Sequence, residues 1–408
     1  MNPSTQKQPL ITVADAAEIM EAGSCDYGTI RIPAGIVLLG RTLQEPVRAD
    51  RDFPPFDRAM MDGYAVDAGS LDPSGECIVR VAGNLAAGDI SEEYIAPGTA
   101  MRINTGAPMP PFGGNAVIPH EATGPLPGDR IRIAGCVSRG QFVHRRGSDA
   151  LAGDILVRPG MRIDGNVLAI AATVGLTSLV VNRLPTITVL ATGKELVPVG
   201  ATPLPHQIRA SNGPLIAALL KERGLESTLA LVDDDPSRVR AAVESALADA
   251  DVVITTGAVS KGDHDNLPAI FAELGVTCRF HGVRQKPGKP LWYGEDDTGK
   301  RIFALPGNPV STYVCLLRHV LPTIAGTRAT LPPLPLVALA RKTNNPLPLT
   351  RFLPVRTDSC TRTGKTLATP VEINTSGDFI STLGCAGFTE APPESTLPAG
   401  ALLSLYQA

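Results

Sequence analysis

The stretch IFALPGNPVSTYVCLL, residues 302–317, reads as a buried strand that turns directly into an apolar helix. Ile302 to Leu305 are apolar throughout, as a strand covered on both faces requires. From Val310 the apolar residues continue into a helix, and Pro309 sits where a first helical residue needs no N–H. The turn between them is Pro306, Gly307, Asn308 and Pro309. A strand-to-helix turn presents backbone N–H groups that suit an anion. Here two of the four turn residues are prolines, which donate nothing. The turn either meets a ligand through Gly307 and Asn308 or stiffens one wall of a site.

Outward from this turn, strand–helix alternation covers residues from about 184 to 326. TITVLATG is a strand, and SNGPLIAALLKERG a helix capped by Ser211 or Asn212 and stopped at Gly224. LESTLALVDD, DVVITTG and RIFALPG are strands; PSRVRAAVESALADA and DNLPAIFAELG are helices. Repeated βα units imply a doubly wound α/β domain with a mainly parallel sheet. Ahead of it, Thr12 and Asp15 form a capping-box pattern for a helix with Val13, Ala17 and Met20 on one face. From about 27 to 182, short β-rich runs such as IVLLG, CIVRVAG, NAVIPHEA, RIRIAG and QFVHRRG alternate with Gly and Pro turns, and no helical period precedes Gly165. After the α/β segment, TLPPLPLVALARKTNNPLPLTRFLPV is too rich in proline for helices, and the remainder fits a small β-barrel. The fold class is α/β plus β: multidomain, with β-rich N-terminal domains, a doubly wound α/β domain and a C-terminal small β-barrel.

The 408 residues exceed one ordinary core. A net charge of -3, no block of Lys or Arg and only 4 % aromatic residues argue against a nucleic-acid partner. The seven cysteines are dispersed without a C-x-x-C pair, and the six histidines form no H-E-x-x-H pattern. Reduced thiols in a cytoplasmic protein are the expectation. The N-terminal MNPSTQKQPL has no apolar signal core. VLAIAATVGLTSLVV at 167–181, broken by Thr, Gly and Ser, reads as a helix plus a strand, so no membrane partner is expected.

In a doubly wound sheet, ligands sit beyond the carboxyl ends of the strands. The segments that follow the strands carry Glu195, Asp233 to Asp235, Ser260, Asp263, Asp265 and the opening turn, with Lys286 and Lys289 in QKPGKP between the last two. Carboxylates beside lysines suit a hard divalent cation, Mg2+ first, that bridges protein oxygens to a phosphate. Gly257 to Asp263, GAVSKGD, allows backbone to approach an anion, yet it is neither a P-loop nor G-x-G-x-x-G. Each residue also has a plain reading. Glu195 or Asp235 alone is more often a helix cap or first-turn charge. Lys286 and Lys289 alone are usually solvated. Four strand ends bearing such text together favour a site.

The β-rich half has its own unusual runs: PPFDRAMMDGYAV at 54–66, RINTGAP at 102–108 and RRGSD at 145–149. Each can be only a strand end and turn. Their joining to the α/β site would need domain packing or a second subunit.

Taken in order, FPPFDRAMMDGYAV, RINTGAP, RRGSDALAGD, ATGKEL, TTGAVSKGDHD, KPGKP and LPGNPVS resemble the molybdopterin molybdenumtransferase family, which includes the bacterial MoeA proteins and the gephyrin E domain. The resemblance spans about residues 10 to 400. It implies homodimers of four-domain subunits: 1–53 with 140–183 as an elongated linker domain, 54–139 as an inserted β-rich domain, 184–328 as the molybdopterin-binding α/β domain and 329–408 as the barrel. The implied reaction inserts molybdate into adenylylated molybdopterin, assisted by Mg2+, and releases AMP to give molybdenum cofactor. Matched residue by residue, the resemblance implies catalytic roles for Asp62, Thr105, Asp149, Glu195, Asp235, Asp263, Lys286 and Lys289. It places Gly257, Ser260, Pro306, Gly307, Asn308, Pro309 and Ser376 at the bound substrate, and Asp263, Glu195 and Asp235 at the metal. Ala258 stands where the family usually has glycine, a departure that matters if the position needs positive φ. Transient contacts with the adenylylating enzyme and with recipient molybdoenzymes follow from the same resemblance. Two alternatives stand beside it: a molybdopterin adenylyltransferase, and a non-catalytic scaffold of the gephyrin E-domain type.

Overall fold

The computed structural model describes residues 9–23, 26–72, 76–89, 94–257, 267–324, 334–360 and 364–407. The chain divides into two compact units: Ile30–Val181, and Met1–Thr29 with Asn182–Ala408.

The second of these holds a six-stranded sheet. Strands Ser227–Val232, Ile187–Thr192, Val252–Thr256 and Arg301–Leu305 run parallel in that order. Trp292–Glu295 and Thr277–His281 extend the edge antiparallel, beyond the expected parallel strands. Side-chain alternation fills both faces. Val189, Ile254, Phe303 and Leu305 join the core with the helices Val13–Ala22 and Asn212–Glu222. Leu190, Val253, Ile302 and Ala304 pack under Pro236–Asp249 and Leu267–Glu273. The apolar run that opened the sequence reading is buried at every strand position for this reason.

The first helix has the expected reciprocal cap. Thr12 Oγ1 accepts from Asp15 N at 3.0 Å and Asp15 Oδ2 from Thr12 N at 2.9 Å. Its buried face is Val13, Ala16 and Met20; Ala17 lies one residue off it. Ser211 holds the N-cap position of Asn212–Glu222, as expected, but its side chain makes no capping bond, and Asn212 is the first helical residue with its side chain committed elsewhere. The helix after Asn308 runs as Pro309–Cys315, a π-turn Leu316–Val320 and Leu321–Ile324. C-terminally, Thr350–Cys360, Lys365–Pro370, Leu336–Leu339, Leu402–Tyr406 and Gly387–Ala391 pair in sequence, and the last pairs back to the first, closing a five-stranded barrel. Gln285–Lys286 adds in parallel to Thr350 and Arg351.

Unit Ile30–Val181 is built around a six-stranded sheet ordered Ala116–Pro119, Gly63–Val66, Thr99–Ile103, Glu76–Leu85, Arg130–Ala134 and Thr123–Leu126. IVLLG is not a strand: Ile36–Leu38 is a 3-10 turn that buries Leu38 and exposes Ile36 and Val37. VLAIAATVG forms a helix, Gly165–Thr173, capped by Asp164, and the strand Ser178–Asn182 follows. Among the described residues no helix is long and apolar enough to cross a membrane, and no disulfide joins Cys77, Cys136, Cys278, Cys315 or Cys385.

Candidate functional site

The four parallel strands end level. Thr192 lies opposite Val232, and Thr256 opposite Leu305. The residues that follow them therefore share one rim. Asn212 ties this rim together: its Nδ2 donates to Thr256 Oγ1 at 2.8 Å and to the Gly307 carbonyl oxygen at 2.7 Å. Gly257 has φ +95, and a Cβ there would lie 2.0 Å from the Thr192 carbonyl oxygen, so only glycine fits. A Cβ on Gly307 would be 3.7 Å from Gly257 Cα, which makes these two glycines neighbours across the crevice. Two buried oxygens at this rim, Thr192 Oγ1 and Asn212 Oδ1, have no hydrogen-bond partner among the described residues. Unsatisfied polar atoms are rare in folded interiors and mark places where a ligand can supply the missing donor.

The opening turn is fixed from three sides. The Pro306 carbonyl oxygen accepts from Thr312 Oγ1 at 2.6 Å and from Thr256 Oγ1 at 3.5 Å. Pro309 is at the start of the helix, as expected, and Asn308 precedes it. Asn308 Nδ2 donates to Ser376 Oγ at 2.8 Å, and Val310 N to the Ser376 carbonyl at 3.1 Å. Ser376, more than sixty residues away in sequence, is thereby part of the turn's wall.

Lys286 and Lys289 are exposed, and neither has an ion-pair partner among the described residues. An ammonium about 4 Å from a unit negative charge gains about 4 kcal/mol at an effective dielectric near 20, so a dianion is well matched to this pair. The loop between them lies against the second turn of the Pro309 helix: a Cβ on Gly288 would be 2.6 Å from Cys315 Sγ and 3.6 Å from the Ser311 carbonyl oxygen.

The acidic residues divide. Glu195 is exposed and folds back over Gly193, with Oε1 2.9 Å from where a Cβ on that glycine would lie. Asp235 is the N-cap of Pro236–Asp249: its Oδ1 accepts from Ser237 Oγ, Ser237 N and Arg238 N, and these bonds, the Ser237 hydroxyl foremost, hold its carboxyl below the usual range. Asp233 pairs with Arg238 at 3.0 Å on the surface. The plain reading of this acidic run, turn plus cap, describes these contacts. Ser260, Asp263, Asp265 and Ala258 lie outside the described residues. Among the described residues no three His, Cys, Asp or Glu side chains come together as a metal site.

In unit Ile30–Val181 the expected residues form two adjoining contacts. Asp62 Oδ1 accepts from Thr105 N at 2.6 Å and Thr105 Oγ1 at 2.7 Å. These bonds, the backbone one foremost, hold the Asp62 carboxyl below its ordinary range. The sheet enforces the meeting, since Gly63 pairs with Ile103 on the neighbouring strand. Gly63 must be glycine, because a Cβ there would lie 1.9 Å from the Ile118 carbonyl oxygen. Asp149 Oδ1 takes His144 Nε2 at 2.8 Å, while Arg58 Nε and Nη2 approach His144 Nδ1 at 3.3 and 3.2 Å. Arginine only donates, so Nδ1 is the acceptor and Nε2 carries the proton given to Asp149. Arg146 is committed to Asp52 at 2.7 Å, which leaves the exposed Arg145 as the cation of that turn.

Arg58, His144, Asn212 and Cys315 also take part in these contacts. Residue type and spacing alone assign them no role; contacts between distant segments give them their places.

The fold and rim define an α/β ligand-binding protein of the doubly wound class, joined to β-rich units. The N-terminal region of MoeA (domains I and II) matches residues 11–175, and the probable molybdopterin binding domain matches residues 188–326. A molybdopterin molybdenumtransferase from Synechocystis is 34% identical over 404 residues, covering 97% of this chain and 100% of the relative. One from Bacillus subtilis is 36% identical over 293 residues, covering 70% of this chain and 68% of the relative. A crystal structure of a molybdopterin biosynthesis MoeA protein from Pyrococcus horikoshii superposes with a TM-score of 0.82 at 29% identity, over 98% of this chain and 100% of that one. The chain belongs to the molybdopterin molybdenumtransferase family, transferases of molybdenum cofactor biosynthesis.

Proposed function

We propose that the protein inserts molybdate into adenylylated molybdopterin and releases AMP. The observation that carries this reading is the rim itself: a stiff LPGNP turn, two exposed lysines without ion-pair partners among the described residues and Ser376 against the turn. Lys286 and Lys289 receive the molybdate dianion or the substrate phosphates. The rigid turn at Pro306 to Pro309 and the close pair Gly257 and Gly307 shape the pocket wall, and Ser260 is assigned to substrate binding by the family motif. Asp62, positioned by Thr105, and Asp149, oriented by His144, belong to the same reaction, brought to the substrate by a second subunit of a homodimer. The exposed Ile36, Val37 and Leu39 are apolar surface that such a second copy can cover.

Mg2+ held by Asp263 and Glu195 would polarise the phosphoanhydride when bound. Asp235, already a helix cap, is the weakest of the proposed ligands. No protein nucleophile is needed: a molybdate oxygen or water attacks the molybdopterin-side phosphorus of the pyrophosphate, the bridging P–O bond breaks, and AMP leaves with its own phosphate. The four-domain division at 1–53 with 140–183, 54–139, 184–328 and 329–408 belongs to this reading. So do a cytoplasmic location and transient contacts with the adenylylating enzyme and recipient molybdoenzymes.

The purified protein, given adenylylated molybdopterin, molybdate and Mg2+, is expected to release AMP in a molybdate-dependent way. AMP that stays covalently attached at saturating molybdate and cation overturns the proposal.

A further inference from the structure

Beneath the Lys286–Lys289 loop lies a buried polar assembly for which the proposed chemistry has no use. Gln285 is fully buried at the start of the loop. Its Nε2 lies 3.2 Å from the Pro287 carbonyl oxygen, which can only accept, so the amide is turned with nitrogen toward the loop. Gln285 Oε1 then faces His319 Nε2 at 2.8 Å, and this contact is a hydrogen bond only if Nε2 carries the imidazole proton. His319 Nδ1 is the bare nitrogen, buried without a partner among the described residues. Beside them the Cys315 thiol points at the Gly288 carbonyl oxygen at 3.6 Å. Both carbonyls that lie between the two lysines are thus held from below by side chains of the loop's first residue and of the helix that begins at Pro309.

We propose that Gln285, His319 and Cys315 are positioning residues that clamp the Lys286–Lys289 loop and so set where its two ammonium groups meet an anion. This rests on the reading of that loop as the anion subsite. The plain alternative is a core contact that only stabilises. A buried polar pair is a weak device for that purpose, since replacing both partners by apolar groups of the same shape is often nearly neutral. Among the described residues His319 also keeps one nitrogen unsatisfied, so the one bond it donates is what its polarity supplies. The fit is close: φ at Gly288 is +91, and a Cβ there would lie 2.5 Å from Gln285 Nε2 and 2.6 Å from Cys315 Sγ. Burial, with Arg318 beside it, holds the imidazole neutral down to about 3, so its single donor is constant across ordinary pH.

The test is molybdate binding to the full chain by calorimetry, with thermal melting alongside. Gln285→Met with His319→Leu removes the polar pair and keeps the volume. This double variant is expected to melt near the wild type and to bind molybdate about tenfold more weakly, because small displacements of a binding group are felt strongly. His319→Gln, which keeps a donor near the Nε2 position, is expected to recover most of that loss. Lys286→Ala with Lys289→Ala is expected to abolish binding. If the lysine variant loses binding while the folded double variant binds like wild type, the clamp is overturned and the subsite reading survives. If the wild type binds no molybdate, or binds it without the lysines, the subsite reading fails and the clamp with it. Should the double variant not fold, Cys315→Ala decides: about threefold weaker binding supports the clamp, and unchanged binding overturns it.

Discussion

Asn212 donates to the Gly307 carbonyl oxygen at 2.7 Å, ninety-five positions along the chain, and to Thr256 at 2.8 Å with the same amide nitrogen. One side chain at a helix start thereby holds the ends of two strands and the LPGNP turn in a fixed relation. Asn212→Ala leaves a carbonyl and a hydroxyl short of a donor. A loss of about 2 kcal/mol in urea unfolding is expected, in line with half-buried polar groups deprived of a partner. An unchanged midpoint would mean that water replaces the amide at no cost.

Pro306 is buried, and its carbonyl oxygen accepts from Thr312 and Thr256. Pro306→Ala keeps that carbonyl but frees φ. The melting temperature is expected to fall by only a few degrees, as for about 1 kcal/mol, while AMP release falls at least tenfold. A large drop in melting temperature with normal turnover per folded molecule would reduce the turn to a structural role.

Asp62 owes its lowered pKa first to the Thr105 backbone N–H and then to the Thr105 hydroxyl. Thr105→Val removes only the hydroxyl. NMR titration should show the Asp62 carboxyl moving up toward the ordinary range, and Asp62→Asn should fold normally yet lose about a hundredfold or more in AMP release. Full activity of a folded Asp62→Asn would remove Asp62 from the reaction.

Arg183 forms a two-pronged ion pair with Asp251, at 2.8 and 2.9 Å, and Thr186 donates twice more to the same carboxylate. Arg183 foremost lowers the Asp251 pKa from 3.8 to about 2. A depressed carboxyl contributes its stability above the unfolded value, and loses it as pH falls through the folded one. About 2 kcal/mol is therefore expected to disappear between pH 3.8 and about 2. In Asp251→Asn that part of the acid limb should be flat; an unaltered acid limb would place the titration elsewhere.

His319 gives a second window. Burial lowers its pKa from 6.5 to about 3, so between these values the unfolded chain binds a proton that the folded one refuses. Stability is expected to fall as pH drops below 6.5, by up to about 1.4 kcal/mol per unit. Comparison of wild type with the Gln285→Met, His319→Leu variant isolates this slope. Parallel stability curves for the two between pH 6 and 4 would show that the buried imidazole accepts its proton in place.

Local text was enough for much of the fold. Ile302 to Leu305 read as a doubly covered strand because every side chain is apolar, and all five positions of Arg301–Leu305 are buried. Thr12 and Asp15 read as a cap because the bonds are three residues apart. IVLLG misled, because an apolar run does not reveal which of its residues face inward; only Leu38 does. Ser211 marked the cap position, but its side chain makes no capping bond. The edge hairpin of Thr277–His281 and Trp292–Glu295 lacked the helical spacers that made the parallel strands legible.

The sequence by itself determined the class of fold, the rim where strands end and the family, since these depend on periodicity, turn residues and motifs in order. Only the tertiary structure decided which polar atoms meet. Asp62 with Thr105, Arg58 with His144, Asn308 with Ser376 and Gln285 with His319 are contacts whose partners lie on different segments. Hydrogen bonds act over about 3 Å, and no local pattern records which distant segments packing brings within that reach. The LPGNP turn shows both halves. Its prolines announce a rigid strand-to-helix turn, while the support it shares with Ser376, Asn212 and the lysine loop exists only once the chain has folded.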